Sequence, residues 1–263
     1  MKTIITDLDG TLLDHGTLHP HTIKTLKKFQ KNGRLILASG RSLKNMKLYV
    51  EQLEMTSFQN GALIGLNGLE RYDFKTGTYH KEQGISAKEV KKIARSFRFN
   101  SLLIMVDLPD QEMKINTVFS FLLRFAAIKR LRQRSRLKTY SNQNEPIDKI
   151  IVLFYIGTKR HLDAIRRQFK AYQILRIGRF WIEIMPQGID KQIQIQYFMK
   201  QYAISSHDLY IFGDGENDRN MLSLTQHSYA PSSALEEIKR TAKHICPPPA
   251  KEGVARVIES LFD

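Results

Sequence analysis

The chain has 263 residues, 42% hydrophobic and 25% charged, which is an ordinary globular composition with length for one large domain or two modest ones. No apolar run approaches the roughly 20 residues that span a bilayer, and the single cysteine, Cys246, excludes an intrachain disulfide. The formal net charge of +15 lies almost entirely between residues 83 and 182, which separates that stretch from its flanks.

The elements read in chain order as follows. Met1 to Asp9 places two carboxylates where a secretion signal needs an apolar stretch, so a cytoplasmic protein with no membrane attachment is expected. A reducing cytosol also suits a lone cysteine, read as a small core residue. Lys2 to Leu8 predicts a strand that breaks at Gly10. Pro20 opens a helix with Ile23, Leu26 and Phe29 at helical spacing, closed by Asn32-Gly33. Arg34 to Ala38 predicts a second strand and Leu43 to Leu53 a second helix.

The basic middle mixes predicted helices over Ala87–Phe97, Val118–Leu131 and Leu162–Phe169 with strands over Leu102–Val106, Lys149–Tyr155, Ile174–Ile177 and Phe180–Ile184. After it the first grammar returns. Ile189–Tyr202 predicts a helix, Asp208–Phe212 a strand and Asn217–Leu224 a helix. Short strands at Ser228–Ala230 and His244–Cys246 and a helix at Val254–Leu261 follow. The expected architecture is α/β: a parallel-sheet, Rossmann-like core over residues 1–82 and 187–263, with an inserted α+β domain over 83–186.

Four groups of residues suggest chemistry. Asp7-Leu8-Asp9-Gly10 ends the first strand, and residues two apart on a strand share a face, so Asp7 and Asp9 are expected to converge. Two carboxylates brought together call for a cation or a shared proton. Ala38-Ser39-Gly40-Arg41-Ser42 ends the second strand with a hydroxyl and a glycine amide at a helix start, which suits a phosphate oxygen or a simple cap. Lys191 lies in the first turn of a helix after the bend Pro186-Gln187-Gly188. In Gly213-Asp214-Gly215-Glu216-Asn217-Asp218 an apolar strand runs into an acidic cluster, costly without a cation and suited to Mg²⁺.

Together, in this order over one α/β core, these groups resemble the haloacid dehalogenase-like superfamily, and more narrowly its Cof-type branch with a large cap between the second and third motifs. Asn60-Gly61-Ala62 and the Glu183-Ile184-Met185-Pro186 approach to Lys191 are similar to that branch as well. The resemblance implies a magnesium-dependent phosphatase acting on small phosphorylated metabolites such as sugar phosphates, pyridoxal phosphate, flavin mononucleotide or nucleotides. It implies Asp7 as nucleophile and Asp9 as general acid/base. Mg²⁺ would be held by Asp7, the Asp9 carbonyl and Asp214, with Asp218 in support. Ser39, Gly40, Lys191 and Asn217, with the Leu8 amide, would hold the phosphoryl group, and the inserted domain would set specificity.

Two positions depart from the family pattern. Gln192 stands where glycine often follows the motif lysine, and Ser232-Ser233-Ala234 stands where Gly-Asn-Ala is frequent, which removes an amide from the phosphate edge. Two other readings of the chain stay open. One is a phosphomutase on the same core, and the other is a polyanion or nucleic-acid binder using the basic middle. Arg124, Lys129, Arg130, Arg132, Arg134, Arg136 and Lys138 form a run with no acid, which reads as a solvated helix face or as a field focused on an anionic substrate.

Overall fold

The structure is a computed structural model that describes residues 1–108, 111–141, 145–154, 156, 162–177 and 179–262. It divides into two units, residues 1–82 with 190 onward and residues 83–189.

The first unit begins with β1 (Thr3–Thr6), every residue of it buried. Strand β1 pairs in parallel with β2 (Arg34–Ala38). Between them runs α1 (Pro20–Gln30), with Pro20 at its first position, where a missing amide costs nothing. Next come α2 (Leu43–Gln52), capped by Ser42, and the short α3 (Met55–Phe58). Strand β3 (Ala62–Gly65) joins β2 in parallel. Two antiparallel strands that the sequence reading did not anticipate, β4 (Glu70–Asp73) and β5 (Thr78–Lys81), extend that edge.

The second unit starts at α4 (Ala87–Phe97), closed at its N-terminus by a reciprocal capping box between Ser86 and Glu89. Then come β6 (Ser101–Asp107), β7 (Glu112–Ile115), α5 (Lys129–Arg134), β8 (Lys149–Phe154), α6 (Leu162–Gln168), β9 (Tyr172–Arg176) and β10 (Trp181–Pro186). The strands form one antiparallel sheet in the order β7-β6-β8-β10-β9. Its Ile104, Val106, Ile150, Val152, Ile182 and Ile184 form a core with Val90, Ile93 and Phe97 of α4 and with Leu162 and Ile165 of α6. On the other face Lys149 donates to Glu183 at 2.8 Å, an ion pair almost closed to water.

The chain then returns to the first unit through α7 (Lys191–Gln201), β11 (Leu209–Phe212), α8 (Arg219–Leu222), β12 (His227–Pro231), α9 (Glu236–Lys239), β13 (His244–Cys246) and α10 (Gly253–Phe262). Its sheet runs β13-β12-β11-β1-β2-β3-β4-β5, parallel from β13 to β3. Alternate strand residues feed opposite layers. Ile4, Leu35 and Leu37 pack with Leu26, Phe29 and Ile258. Ile5, Ile36 and Ile211 pack with Ile195, Phe198 and Ile238. Each such buried side chain stabilises by about 1.5–3 kcal/mol relative to exposure. This is the expected α/β core. Cys246 is a buried core residue, as expected.

One expectation needs correction. The single helix over Val118–Leu131 does not form. A 3₁₀ turn spans Ser120–Phe125, Ala126 and Ile128 are extended, and α5 supplies only six residues. Apolar spacing did not build a buried stripe here, since only Leu123 among Phe121, Leu122, Leu123 and Phe125 is buried. Like charges four apart, Arg130 with Arg134 and Arg132 with Arg136, work against a longer helix. In that run the Arg134 guanidinium stands 5.4 Å from the Trp181 ring centre. Strand β8 is described as far as Phe154, and Tyr155, expected as its last residue, lies outside the described residues. Among the described residues no helix is long and apolar enough to cross a membrane.

Candidate active site

Register alone brings three of the four groups together. Thr6 of β1 lies beside Leu37 of β2 and Phe212 of β11. The residues just beyond these carboxyl ends are Asp7, Ser39 and Gly213-Asp214, where ligands gather in open parallel sheets. The Asp7 amide still donates to the Phe212 carbonyl at 3.0 Å, so Asp7 is positioned by the sheet itself.

Lys191, in the first turn of α7, is fully buried with no exposed surface. Its Nζ donates to Asp7 Oδ1 at 2.6 Å and to Asp218 Oδ1 at 2.7 Å. Asp218 Oδ2 accepts from the Asp214 and Gly215 amides, both at 2.9 Å. Both oxygens of Asp218 are therefore engaged, and this side chain fixes Lys191 and the Asp214 loop together. Thr11 donates to Asp214 Oδ1 at 3.0 Å. Gly10 turns the chain with φ +87°, and a Cβ there would collide with the Asp214 carboxylate.

The Asp7, Asp214 and Asp218 carboxylates each offer an oxygen within 4.8 Å of the others. Three acids face one lysine here. Burial, with the charges of Asp218 and Asp214, pushes Asp7 well above the usual carboxylate range despite Lys191. Burial and Asp218 push Asp214 up to about 6. Burial alone would lower Lys191, but Asp218 and Asp7 outweigh it and hold it above the usual lysine range. Among the described residues Asp7 Oδ2 and Asp214 Oδ2 have no hydrogen-bond donor. Two carboxylate oxygens without a donor, in a centre with an excess of negative charge, fit a divalent cation.

Asp9 is not among the carboxylates that meet within 4.8 Å, although its charge reaches Asp214. The strand ends at Thr6, and the Leu8 carbonyl accepts from the amides of Leu12 and Leu13, so the chain turns before strand alternation reaches Asp9. Its exposed carboxylate is held by Arg41, from Nε and from Nη2, each at 2.6 Å. Arg41 Nη1 reaches Tyr49 at 3.0 Å, and Tyr49 donates to the Gly16 carbonyl. No backbone carbonyl among the described residues accepts from the Leu8 amide. Ser39 is buried and its Oγ accepts from the Arg41 amide at 3.2 Å.

Asn217 donates to Asn67 Oδ1 at 2.9 Å, and the same oxygen would lie 3.2 Å from a Cβ on Gly40. Asn67 thus ties the Ser39-Gly40 and Asn217 segments together. The sequence reading missed it, although Leu66 and Asn67 both take positive φ before Gly68, and Asn-Gly is a turn signal. Asn60, in contrast, bonds the carbonyls of Gln30 and Gly33 at the start of β2, away from these carboxyl ends. At the two departures, the Gln192 amide donates to Asp190 Oδ1 at 2.7 Å inside the helix cap, and Ser233 lies exposed in a turn.

A family model described as haloacid dehalogenase-like hydrolase matches residues 4–258. The 5-amino-6-(5-phospho-D-ribitylamino)uracil phosphatase YitU of Bacillus subtilis is 24% identical, covering 98% of this chain and 97% of that protein. The HMP-PP phosphatase of Serratia proteamaculans is 23% identical, covering 89% of this chain and 84% of that one. A haloacid dehalogenase-like hydrolase from Bacteroides thetaiotaomicron superposes with a TM-score of 0.78 at 23% identity, over 99% of both chains.

Proposed function

The chain belongs to the haloacid dehalogenase-like hydrolase family, and on that footing we propose that it is a phosphatase for small phosphorylated metabolites with Asp7 as nucleophile. The observation that carries this reading is Lys191, wholly buried and bridging Asp7 and Asp218. A buried lysine held by two carboxylates orients the attacking oxygen and offsets part of the repulsion between carboxylate and phosphate dianion.

In the first half-reaction Asp7 Oδ2 attacks phosphorus, the bond to the ester oxygen breaks, and Asp9 gives that oxygen its proton. In the second, Asp9 takes a proton from water, water oxygen bonds to phosphorus, and the Asp7 carboxylate leaves with inorganic phosphate released. Asp9 must loosen from Arg41 to do this, since both of its oxygens are engaged there. Asp7, the Asp9 carbonyl and Asp214, with Asp218 in support, would hold Mg²⁺, which when bound neutralises charge on the phosphoryl oxygens. The Leu8 amide, Ser39, the Gly40 amide and Asn217 would bind those oxygens, with Asn67 holding Asn217 in place.

The named relatives act on phosphorylated compounds, a phosphoribitylamino-uracil and HMP-PP, so assays begin with phosphorylated heterocycles and sugars. The residues of the second unit would set the choice among them. The deciding experiment is to quench a turnover mixture in acid and look for phosphate on the peptide containing Asp7. The adduct should be cleaved by hydroxylamine, as an acyl phosphate is, and absent from Asp7→Asn. Turnover with free phosphate released but no such adduct would refute covalent catalysis by Asp7.

A further inference from the structure

The second unit contains a cavity of about 350 Å³ between the C-terminal half of α4 and the segments after β7 and before residue 142. All its lining residues lie in this unit, and none belongs to the site around Asp7. Three of them, Lys91, Arg95 and Arg98, follow one another along one face of α4 at spacings of four and three. All three are exposed, and among the described residues none has a carboxylate within ion-pair distance. Among the described residues no acid lines the cavity. Ala94, Ile115 and Tyr140 add apolar surface, and Asn116 and Ser141 add neutral hydrogen-bonding groups.

Three cations on adjacent turns repel one another, and nothing described within the fold compensates them. A compact polyanion would. Arginine forks match phosphate oxygens in pairs, and lysine adds a point charge. An apolar wall with a tyrosine ring suits a planar body, and the volume falls within the usual range for small-molecule sites.

We propose that this cavity is a second ligand site, separate from the Asp7 centre, for a small molecule carrying two or more phosphate groups on a planar ring, a nucleoside diphosphate being the simplest case. Its phosphates lie along Lys91, Arg95 and Arg98, and its ring lies against Tyr140 and Ile115. Nothing in this depends on how Asp7 reacts.

The test uses ADP as probe, with the full-length chain in EDTA so that no turnover competes. Wild type should bind ADP with an affinity that falls as salt rises. The Lys91→Gln/Arg95→Gln/Arg98→Gln variant should bind roughly ten-fold more weakly or worse, with its circular dichroism and its turnover of a small aryl phosphate unchanged. The single reversal Arg95→Glu should weaken ADP in the same direction. A photoreactive azido analogue of ADP should label peptides from α4 or from around Asn116 and Tyr140. Equal ADP affinity in wild type and triple variant would overturn the proposal. So would labelling confined to residues 1–82 and 190–262, or no binding of ADP at millimolar concentration.

Discussion

Arg41 grips Asp9 with two parallel hydrogen bonds, Nε to Oδ2 and Nη2 to Oδ1, each 2.6 Å long. The geometry fixes where the Asp9 carboxylate lies, and one of the two bonds must open for an oxygen to reach a leaving group while the other keeps it in place. If Asp9 serves as general acid, Arg41 is its positioning residue. General acid catalysis contributes typically 10²–10⁴-fold. Arg41→Ala should therefore lower kcat/KM for alkyl phosphates by roughly ten-fold to a hundred-fold, and less for aryl phosphates, whose leaving groups need no proton. In an Asp9→Asn background the same substitution should cost almost nothing more. Losses that multiply in the double variant would mean that Arg41 acts on something other than Asp9.

The metal reading can be checked without activity. Three acids against one lysine leave the centre short of positive charge, and burial pushes Asp7 and Asp214 upward. A cation that binds the folded state raises stability by mass action, about 2.7 kcal/mol at a hundred times its dissociation constant. Mg²⁺ should raise the melting temperature of wild type at pH 8 and leave Asp214→Asn nearly unmoved. The effect should fade as pH falls through about 6, where Asp214 takes up its proton. Equal shifts in both proteins would remove Asp214 from the metal site.

How much of this was legible follows from where the signals sit. Strands β1, β2 and β11 are short apolar runs ending in Asp, Ser or Gly, so their carboxyl ends and the grouping of Asp7, Asp214, Asp218 and Lys191 could be read. Strand alternation carried two residues past Thr6 did not show that Asp9 sits in a turn, paired with Arg41 and outside the three-carboxylate cluster. Arg41 stood in a quoted motif, but its partner lies 32 residues away and side-chain pairing at that range has no local pattern. Asn67 was hidden in a turn, Leu66-Asn67-Gly68. The β4–β5 hairpin was missed because its strands are polar and half exposed, with only Gly77 to mark the turn.

Asp107, at the end of β6, offers a pH test in the second unit. Burial pushes it up to about 6, with Glu112, Asp148 and Glu183 adding to the effect and Lys149 opposing it. A carboxyl raised in the folded state favours its proton there, so ionisation penalises the fold. The penalty is absent below about pH 4, grows as pH rises to about 6, and is complete above that. Asp107→Asn should then stabilise the protein at pH 8 by on the order of 2–3 kcal/mol and have almost no effect at pH 4. A gain of the same size at both pH values would rule out the ionisation argument.

Lys191 gives the sharpest separation of stability from chemistry. Its ammonium is wholly enclosed and makes ion pairs with Asp7 and Asp218, which are themselves buried. Removing one member of such a cluster leaves the others charged and unpaired, at a cost of about 3–5 kcal/mol. Lys191→Met keeps much of the volume and removes the charge, so a loss in that range is expected at pH 8 without metal. The loss should shrink toward pH 4, because Asp7, which burial pushes well above the usual carboxylate range, can then be protonated and no longer needs the ammonium. Adding Asp218→Asn should recover part of the stability at pH 8, since one unpaired charge is gone. It should recover none of the turnover, because nothing then holds Asp7 Oδ1 or faces the incoming phosphate with a positive charge. Urea unfolding of wild type, single and double variants at pH 8 and pH 4, beside phosphate release, measures both. Recovery of turnover in the double variant would show that Lys191 serves only to neutralise Asp218.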